Sequence, residues 1–290
     1  MNPQKVNTLT LKDPGYPEVL KTIHQPPSPI YYRGADPADW LDKPKLAVVG
    51  SRKMTSYGKA VTEKLVAELA GAGVVIVSGL AYGIDATAHQ AALDAGGIAV
   101  AVLGSNIEKI SPAGNVHIGL KILEQKGTVI SEYTEGDFIR AFNFVVRDRI
   151  ISALCDVLLV TEATLKSGSL HTARFALEQG KTVMAVPGSI FSPSSEGCNN
   201  LIKSGAVPVS NAEDIFFALG IQPGKQKLAL EFHGSTEEEQ ILQLIREGLA
   251  DQEELAVASG LNGSQIAGTL TTLELRGHIR PAGAGIWLAS

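Results

Sequence analysis

From residue 46 onward, short and continuously apolar runs alternate with longer segments whose apolar residues recur every three or four positions. The runs are typical of strands buried in a parallel sheet, and the longer period is typical of amphipathic helices. The predicted strands are Leu46–Val49, Val74–Ser78, Ile98–Leu103, Thr128–Ser131, Val157–Thr161, Thr182–Val186 and Val207–Val209. The predicted helices are Lys59–Ala70, Asp85–Ala95, Asn115–Gln125, Val145–Leu154, Ser169–Gln179 and Asn199–Ser204. This alternation predicts an α/β fold with a doubly wound parallel sheet, occupying residues 45–220.

Residues 1–44 form a leader that prolines interrupt repeatedly. We expect a short helix near Tyr16–Ile23 and a strand near Ile30–Arg33, because Pro26, Pro27 and Pro29 exclude a helix between them. Trp40 is expected to pack this leader against the main domain.

The C-terminal part reads as a separate small domain. Residues 221–235 are rich in glycine, proline and polar residues without periodicity, which predicts a linker. Residues 236–290 then show three short helical patterns followed by a glycine-tipped hairpin, which together predict a winged-helix domain. The three helices are predicted at Thr236–Glu247, Asp251–Ala258 and Ser264–Arg276, with Asp251 and Asn262 as N-caps of the second and third.

Composition and charge argue against a membrane protein, a secreted protein and a cysteine metal site, and they indicate which domain could bind phosphate. The 290 residues contain no apolar run long enough for a membrane helix and no apolar signal-sequence core at the N-terminus, so we expect a cytoplasmic protein without a membrane partner. The two cysteines, Cys155 and Cys198, are too far apart for a Cys-x-x-Cys site. The net charge of −5 lies entirely beyond residue 232, where eight acids face three arginines. The main domain is therefore formally neutral and can concentrate a basic patch, whereas the acidic tail is a poor phosphate binder.

Several small-residue loops follow predicted strands, where open α/β sheets bind ligands. The first is Gly50, Ser51, Arg52 and Lys53, which connects a strand to a helix and so directs backbone N–H groups to one point. Further loops of this kind are Ser78–Asp85, with Asp85 as a candidate N-cap, and Lys166, Ser167, Gly168 and Ser169. No dinucleotide or triphosphate glycine motif is present. Together these loops favour an anion site over coincidental turn chemistry.

The stretch from Phe138 to Leu154 alternates aromatic and basic side chains. Arginines bind phosphates in a bidentate manner, and aromatic rings stack on unpaired bases whatever their sequence. Its candidate nucleic-acid contacts are Arg140, Phe144, Arg147 and Arg149. The alternative interpretation is a helix with a core face and solvated arginines.

Catalytic and metal-binding patterns are weak. His89, His117 and His171 lie on different segments without metal-ligand spacing. Asp156 and Glu162 could form a carboxylate pair, although acids at strand ends usually act as caps. We expect no catalytic residue, no cofactor and no metal.

Five motifs carry a family resemblance: "GSRKMTSYG", "SGLAYGIDATAHQAAL", "RDRIISAL", "SGSLHTARFALEQGKTVMAVPG" and "NNLIKSGA". In this order they resemble the DNA-processing protein A (DprA/Smf) family, over roughly residues 14–218 and the winged tail. The resemblance implies an extended Rossmann-like domain that binds and protects incoming single-stranded DNA, self-associates as a homodimer, and helps load the RecA recombinase in natural transformation. It implies no enzymatic activity.

The resemblance also assigns site residues. It places phosphate contacts on Gly50, Ser51 and Arg52, and the neighbouring pocket loops on Ser78, Gly79 and Ser167–Ser169. It places the aromatic on Phe144 and the following basic residues on Arg147 and Arg149. This chain departs from the family in having Val145 and Asp148 where proline and asparagine are common, and we expect Asp148 to neutralise part of the basic patch.

Two alternatives remain open at this point. A nucleotide phosphoribohydrolase of the lysine-decarboxylase-like group also has a Rossmann sheet, but its glycine-rich motif with a catalytic glutamate has no match in "TEATLKSGSLHTA". A double-stranded DNA regulator using the winged helix is disfavoured by the acidity of that domain.

Overall fold

The apolar runs of the sequence form the central strands of one sheet. The computed structural model describes residues 5–221, 234–246, 248–283 and 285–289. Within these residues the sheet has nine strands, in the order β1-β2-β6-β5-β4-β3-β7-β8-β9. They are β1 (Asn7–Leu9), β2 (Ile30–Gly34), β3 (Lys45–Val49), β4 (Val75–Ser78), β5 (Ala99–Leu103), β6 (Thr128–Ser131), β7 (Val157–Val160), β8 (Thr182–Ala185) and β9 (Val207–Pro208).

The order of the strands creates one switch point. Strands β3 to β9 pair in parallel, and the chain runs outward from β3 through β4 and β5 to β6 before it returns to place β7 against the other side of β3. Loops that leave β3 and β7 at their carboxyl ends therefore diverge to opposite sides of the sheet. This divergence opens the crevice where sheets of this class bind ligands.

Helices cover both faces of the sheet and complete two apolar cores. One face carries α2 (Ser56–Gly71), α3 (Ile84–Asp94), α4 (Val116–Glu124) and α8 (Ala212–Ala218). The other carries α1 (Glu18–Lys21), α5 (Ala141–Leu154), α6 (Ser169–Glu178) and α7 (Glu196–Lys203). Helix α5 is the crossover that joins β6 to β7, so its first turns lie beside the switch point.

The expected α/β fold is confirmed, with a few differences in detail. Helix α5 begins at Ala141 rather than Val145, because Asn143 Oδ1 accepts a bond from Arg140 N at 2.9 Å and so fixes an earlier first turn. The N-cap of α3 is Gly83 and not Asp85. Strand β1 and helix α8 were not predicted.

The leader, residues 1–44, not only packs against the main domain but also adds strands to its sheet. Its strand β2 pairs with β6 antiparallel and extends the sheet, with Tyr31 opposite Ser131. Trp40 is fully buried, and its Nε1 donates to Thr128 Oγ1 at 2.9 Å, while Thr128 Oγ1 donates to Ala35 O at the same distance. One hydroxyl on β6 thus ties two points of the leader to the sheet.

A second compact unit contains the C-terminal residues. Its helices are α9 (Thr236–Arg246), α10 (Gln252–Ser259) and α11 (Gly263–Leu275), followed by the hairpin of β10 (Ile279–Gly283) and β11 (Ile286–Ala289). Asp251 and Asn262 cap α10 and α11, as predicted. Most of the predicted linker, residues 221–235, lies outside the described residues.

The double role of Thr128 gives a stability prediction. Thr128→Val keeps the side-chain shape but leaves the Trp40 Nε1 donor and the Ala35 carbonyl without a partner, and an unpaired buried polar group costs about 1–3 kcal/mol. We expect the free energy of unfolding, measured by urea titration, to fall by about 2 kcal/mol. Thr182→Val, on an exposed strand position, is the matched control and should change little. An equal effect of both substitutions would contradict this account.

Candidate nucleic-acid interface

A cleft of about 650 Å³ lies at the carboxyl ends of β3 and β7, at the switch point of the sheet. The loop after β3 forms one wall, the loop after β7 with the start of α6 forms a second, and the first turns of α5 form the third. A smaller cavity of about 140 Å³ adjoins it and shares Arg52, Ala81, Phe144 and Arg147 with it.

The β3 wall begins with a close backbone contact. A side chain at Gly50 would approach Ile84 Cγ1 to 2.6 Å and Glu162 O to 2.8 Å, so only glycine fits. The next residue, Ser51, donates its N–H to Glu162 O at 2.8 Å, and its Oγ accepts from Lys53 N at 3.1 Å. This packing turns the chain sharply and leaves the side chains of Arg52 and Lys53 exposed at the rim of the cleft.

The carboxylate of Glu162 also fixes the β3 wall through hydrogen bonds to Thr55. This buried side chain at the end of β7 accepts bonds from Thr55 N at 3.1 Å and from Thr55 Oγ1, and Thr55 Oγ1 in turn caps α2 at Gly58 N, 3.2 Å away. Glu162 therefore acts as a cap that joins the two strand-end loops, the role usual for an acid at a strand end. Asp156 lies at the other end of β7, where it accepts from Lys45 N at 2.8 Å, so the two acids do not form a pair.

The β7 wall carries hydroxyls and a helix N-terminus. Ser167 and Ser169 share a hydrogen bond between their Oγ atoms at 2.8 Å, and Lys166 is exposed beside them. Gly168 precedes α6 and has no side chain that could cap it. The positive end of a ten-residue helix and a lysine thus border the cleft, an arrangement that favours anions.

The α5 wall combines an aromatic ring with a buried charge cluster. Phe144 is half-buried and lies against Gly104, where a Cβ would come within 2.8 Å of its ring. One turn on, Arg147 is buried; its Nη1 donates to Gly79 O at 2.8 Å and to Val102 O, and its Nε donates to Asp148 Oδ1 at 3.1 Å.

Two carboxyl groups flank this arginine. Asp148 lines the cleft, and burial raises its pKa to about 6, against the opposing effect of Arg147. Asp85, on α3, also lines the cleft and accepts from Gly79 N at 3.1 Å; burial raises its pKa as well. The floor of the cleft is therefore acidic, whereas its rim is basic.

The cleft brings together most of the predicted site residues. They are Gly50, Ser51, Arg52, Lys53, Phe144, Arg147, Lys166, Ser167, Gly168 and Ser169. Gly79 lies in the adjoining cavity. Arg147 lines the wall, but its guanidinium is committed to protein groups, so it braces α5 against the ends of β4 and β5.

Three predicted residues lie elsewhere. The hydroxyl of Ser78 is buried and donates to Val48 O at 2.7 Å. This hydrogen bond lies within the sheet, so the hydroxyl does not face the cleft. Arg140 is exposed outside the cleft lining and its Cζ lies 5.4 Å from the centre of the Phe138 ring. Arg149 belongs to the opposite side of α5, where it is buried and paired with Glu132 at 2.5 Å. Residues two apart on a helix point in different directions, so Arg147 and Arg149 cannot share one site.

Two hydroxyl-bearing residues that sequence reasoning missed, Thr164 and Thr172, both line the cleft. Thr172 follows Ser169 by one helical turn of α6, and this spacing was the available signal. Thr164 lies in the loop after β7, where no periodic pattern marks it.

Within the described ranges, no cluster of three histidine, cysteine, aspartate or glutamate side chains could hold a metal ion. No helix among them has the length and apolar character needed to cross a membrane. A Rossmann-like sheet with a basic-rimmed cleft at its switch point, followed by a small helical unit with a hairpin, defines a class of α/β proteins suited to phosphate-bearing ligands.

Comparison with known proteins identifies the family within that class. Residues 7–220 match the model of DNA recombination-mediator protein A, and residues 226–285 match the DprA winged helix domain. The chain belongs to this family. It is 37% identical to Protein Smf of Escherichia coli, over 93% of this chain and 74% of that protein, and 40% identical to DNA processing protein DprA of Streptococcus pneumoniae, over 73% and 74%.

Solved structures agree with this assignment. That of DNA processing protein A from S. pneumoniae matches with a TM-score of 0.68 at 39% identity, covering 74% of this chain and 75% of that one. The same protein from Helicobacter pylori, whose structure is described in terms of its single-stranded DNA binding mode, matches with a TM-score of 0.66 at 31% identity, covering 74% and 95%.

The contact of Glu162 with the β3 loop gives a second prediction. Glu162→Gln keeps the shape of the side chain but replaces one acceptor oxygen with a donor group that faces Thr55. We expect the free energy of unfolding to fall by about 2 kcal/mol in a urea titration, since bonds to a charged acceptor are worth about 1.5–3 kcal/mol.

Glu178→Gln is the control, because Glu178 makes an exposed ion pair with Arg174 and such pairs contribute little. Equal stability of the wild type and Glu162→Gln would show that Glu162 does not hold the loop.

Proposed function

We propose that the protein binds single-stranded DNA in the cleft between β3 and β7, without requiring a particular sequence. The observation that carries this proposal is the exposure of Arg52, Lys53 and Lys166 around the half-buried ring of Phe144. None of these three cations forms an ion pair with another described residue. Cations that track a backbone and an aromatic ring that stacks a base are the two elements of single-strand binding.

The phosphates and bases then occupy different parts of the cleft. Arg52 and Lys166 on opposite rims, with the N-terminus of α6 and the Ser167 and Ser169 hydroxyls, take the phosphates. Phe144 stacks a base deeper in the cleft. The acidic floor would repel a phosphate placed there.

Membership of the family supports a proposal for the wider role of the protein. We infer that the protein protects incoming single strands and assists loading of a RecA-type recombinase, and that it acts as a homodimer. The description of the family as recombination mediators supports the recombinase-loading part of this inference.

A phosphoribohydrolase activity finds no support in the cleft. The acid at the end of β7, Glu162, is committed to Thr55 and is buried. Our proposal therefore assigns no catalytic residue, cofactor or metal ion.

Arg52 gives the first functional test. Arg52→Ala should weaken binding of a short single-stranded oligonucleotide by about tenfold in fluorescence anisotropy at low salt, because a charge-assisted phosphate contact is worth about 1.5–3 kcal/mol. The slope of log affinity against log salt should also become shallower by about 0.7, the value for one phosphate contact on a single strand.

Arg174→Ala is the matched control, since Arg174 is exposed on α6 outside the cleft. An unchanged affinity and salt slope in Arg52→Ala would refute the phosphate site. Stronger binding of a duplex than of the single strand by the wild type would refute the single-strand proposal itself.

Phe144 gives the second test. Phe144→Ala should lose about 1–3 kcal/mol of binding free energy, the usual contribution of one base–aromatic stack, with little change in the salt slope. Phe142→Ala is the control, because Phe142 is exposed two residues away and does not line the cleft. A loss of thermal stability with unchanged affinity would make Phe144 a packing residue only.

A further inference from the structure

The stacking residue and the acidic floor share one face of α5. Phe144 and Asp148 are four residues apart on this helix, so their side chains are neighbours, and both line the same cleft. A base stacked on Phe144 would therefore present its edge towards the carboxyl group of Asp148.

The carboxyl group has acceptor capacity left for such an edge. Its Oδ1 accepts from Arg147 Nε at 3.1 Å, and a hydroxyl bond from Thr172 lowers its pKa. An ionised carboxylate offers about four lone-pair positions, so these two bonds leave room for a further donor. Arg147 also faces the second carboxyl group, Asp85, so that one cation serves two acids.

We propose that Asp148 biases the cleft towards bases that carry an exocyclic amino group, so that at neutral pH cytosine is bound in preference to thymine. The carboxylate accepts a hydrogen bond from the amino group of cytosine, as aspartate does in sequence-reading proteins. Thymine offers only one ring N–H, which lies between two carbonyl oxygens that the carboxylate repels. Asp148 is then a specificity-determining residue in a cleft that otherwise takes any sequence. This inference rests on the proposed single-strand binding.

The first test compares short homopolymers of equal length. At pH 7.5 the wild type should bind a dC oligonucleotide about tenfold more tightly than the matching dT oligonucleotide, because one hydrogen bond to a charged group is worth about 1.5 kcal/mol. In Asp148→Asn the ratio should approach one, because an amide can donate to thymine as well as accept from cytosine. The dT affinity should rise at the same time, since a negative charge leaves the cleft.

Asp94→Asn is the matched control, because Asp94 lies at the exposed end of α3 away from the cleft lining, and it should keep the wild-type ratio. Equal affinities for dC and dT in the wild type, or a ratio unchanged by Asp148→Asn, would overturn the inference while leaving single-strand binding intact. Failure of the wild type to bind either oligonucleotide would instead reject the proposed function.

The second test needs no substitution. Burial raises the pKa of Asp148 to about 6, so the group is mainly ionised at pH 7.5 and mainly protonated at pH 5. A protonated carboxyl donates a hydrogen bond to thymine and no longer repels phosphate. The affinity for dT should therefore rise by about fivefold as the pH falls through 6, and Asp148→Asn should remove this rise.

Comparing the pH dependence of the wild type with that of Asp148→Asn separates the effect of Asp148 from the effects of the other charged groups near it. Arg147, Arg52 and Lys166 are present in both proteins, and burial lowers the pKa of His89 on α3 to about 3, which keeps it neutral. Asp85, whose pKa burial also raises, is present in both proteins. A rise that persists in Asp148→Asn would assign the pH effect to Asp85 or to an exposed histidine and overturn this part of the inference.

Discussion

The contact between the β3 loop and Glu162 is the constraint on which the rest of the site depends. Glu162 O accepts from Ser51 N, and its carboxylate holds Thr55, so the end of β7 fixes both ends of the loop that carries Arg52. Gly50 allows this approach because no Cβ would fit against Glu162 O. The switch in strand order between β3 and β7 opens the crevice, and this contact sets the shape of its rim. A mobile arginine would lose more entropy on binding a phosphate than one whose backbone is already held.

The two buried arginines of helix α5, Arg147 and Arg149, make different structural contacts. Arg147 donates to Gly79 O just after β4 and to Val102 O in β5, and Arg149 pairs with Glu132 on the other side of the helix. Both are therefore structural charges, buried with partners, as isolated buried charges would be too costly. The exposed cations that line the cleft belong to the loops after β3 and β7. The result is a basic rim over an acidic floor, which separates the places of phosphates and bases.

The sequence was most informative where hydrophobic periodicity determines the structure. Continuous apolar runs such as Leu46–Val49 identified the parallel strands, and the strand-end rule located the cleft. Periodicity could not show that the Ser78 hydroxyl donates to Val48 O, because this hydrogen bond depends on which strand lies beside β4. It also placed the start of α5 too late, since the polar first turn is fixed by Asn143 and not by an apolar face. Arg149 was assigned with Arg147 although helical geometry separates two residues at this spacing.

Photo-crosslinking tests the central claim most directly. A single-stranded oligonucleotide carrying 5-bromodeoxyuridine would be bound to the full chain, irradiated, and the crosslinked peptides identified by mass spectrometry. Our account predicts crosslinks on the first turns of α5, at Phe144, and on the loops that carry Arg52 and Ser167. Crosslinks confined to the winged-helix unit, or distributed over the surface without enrichment at the cleft, would contradict it.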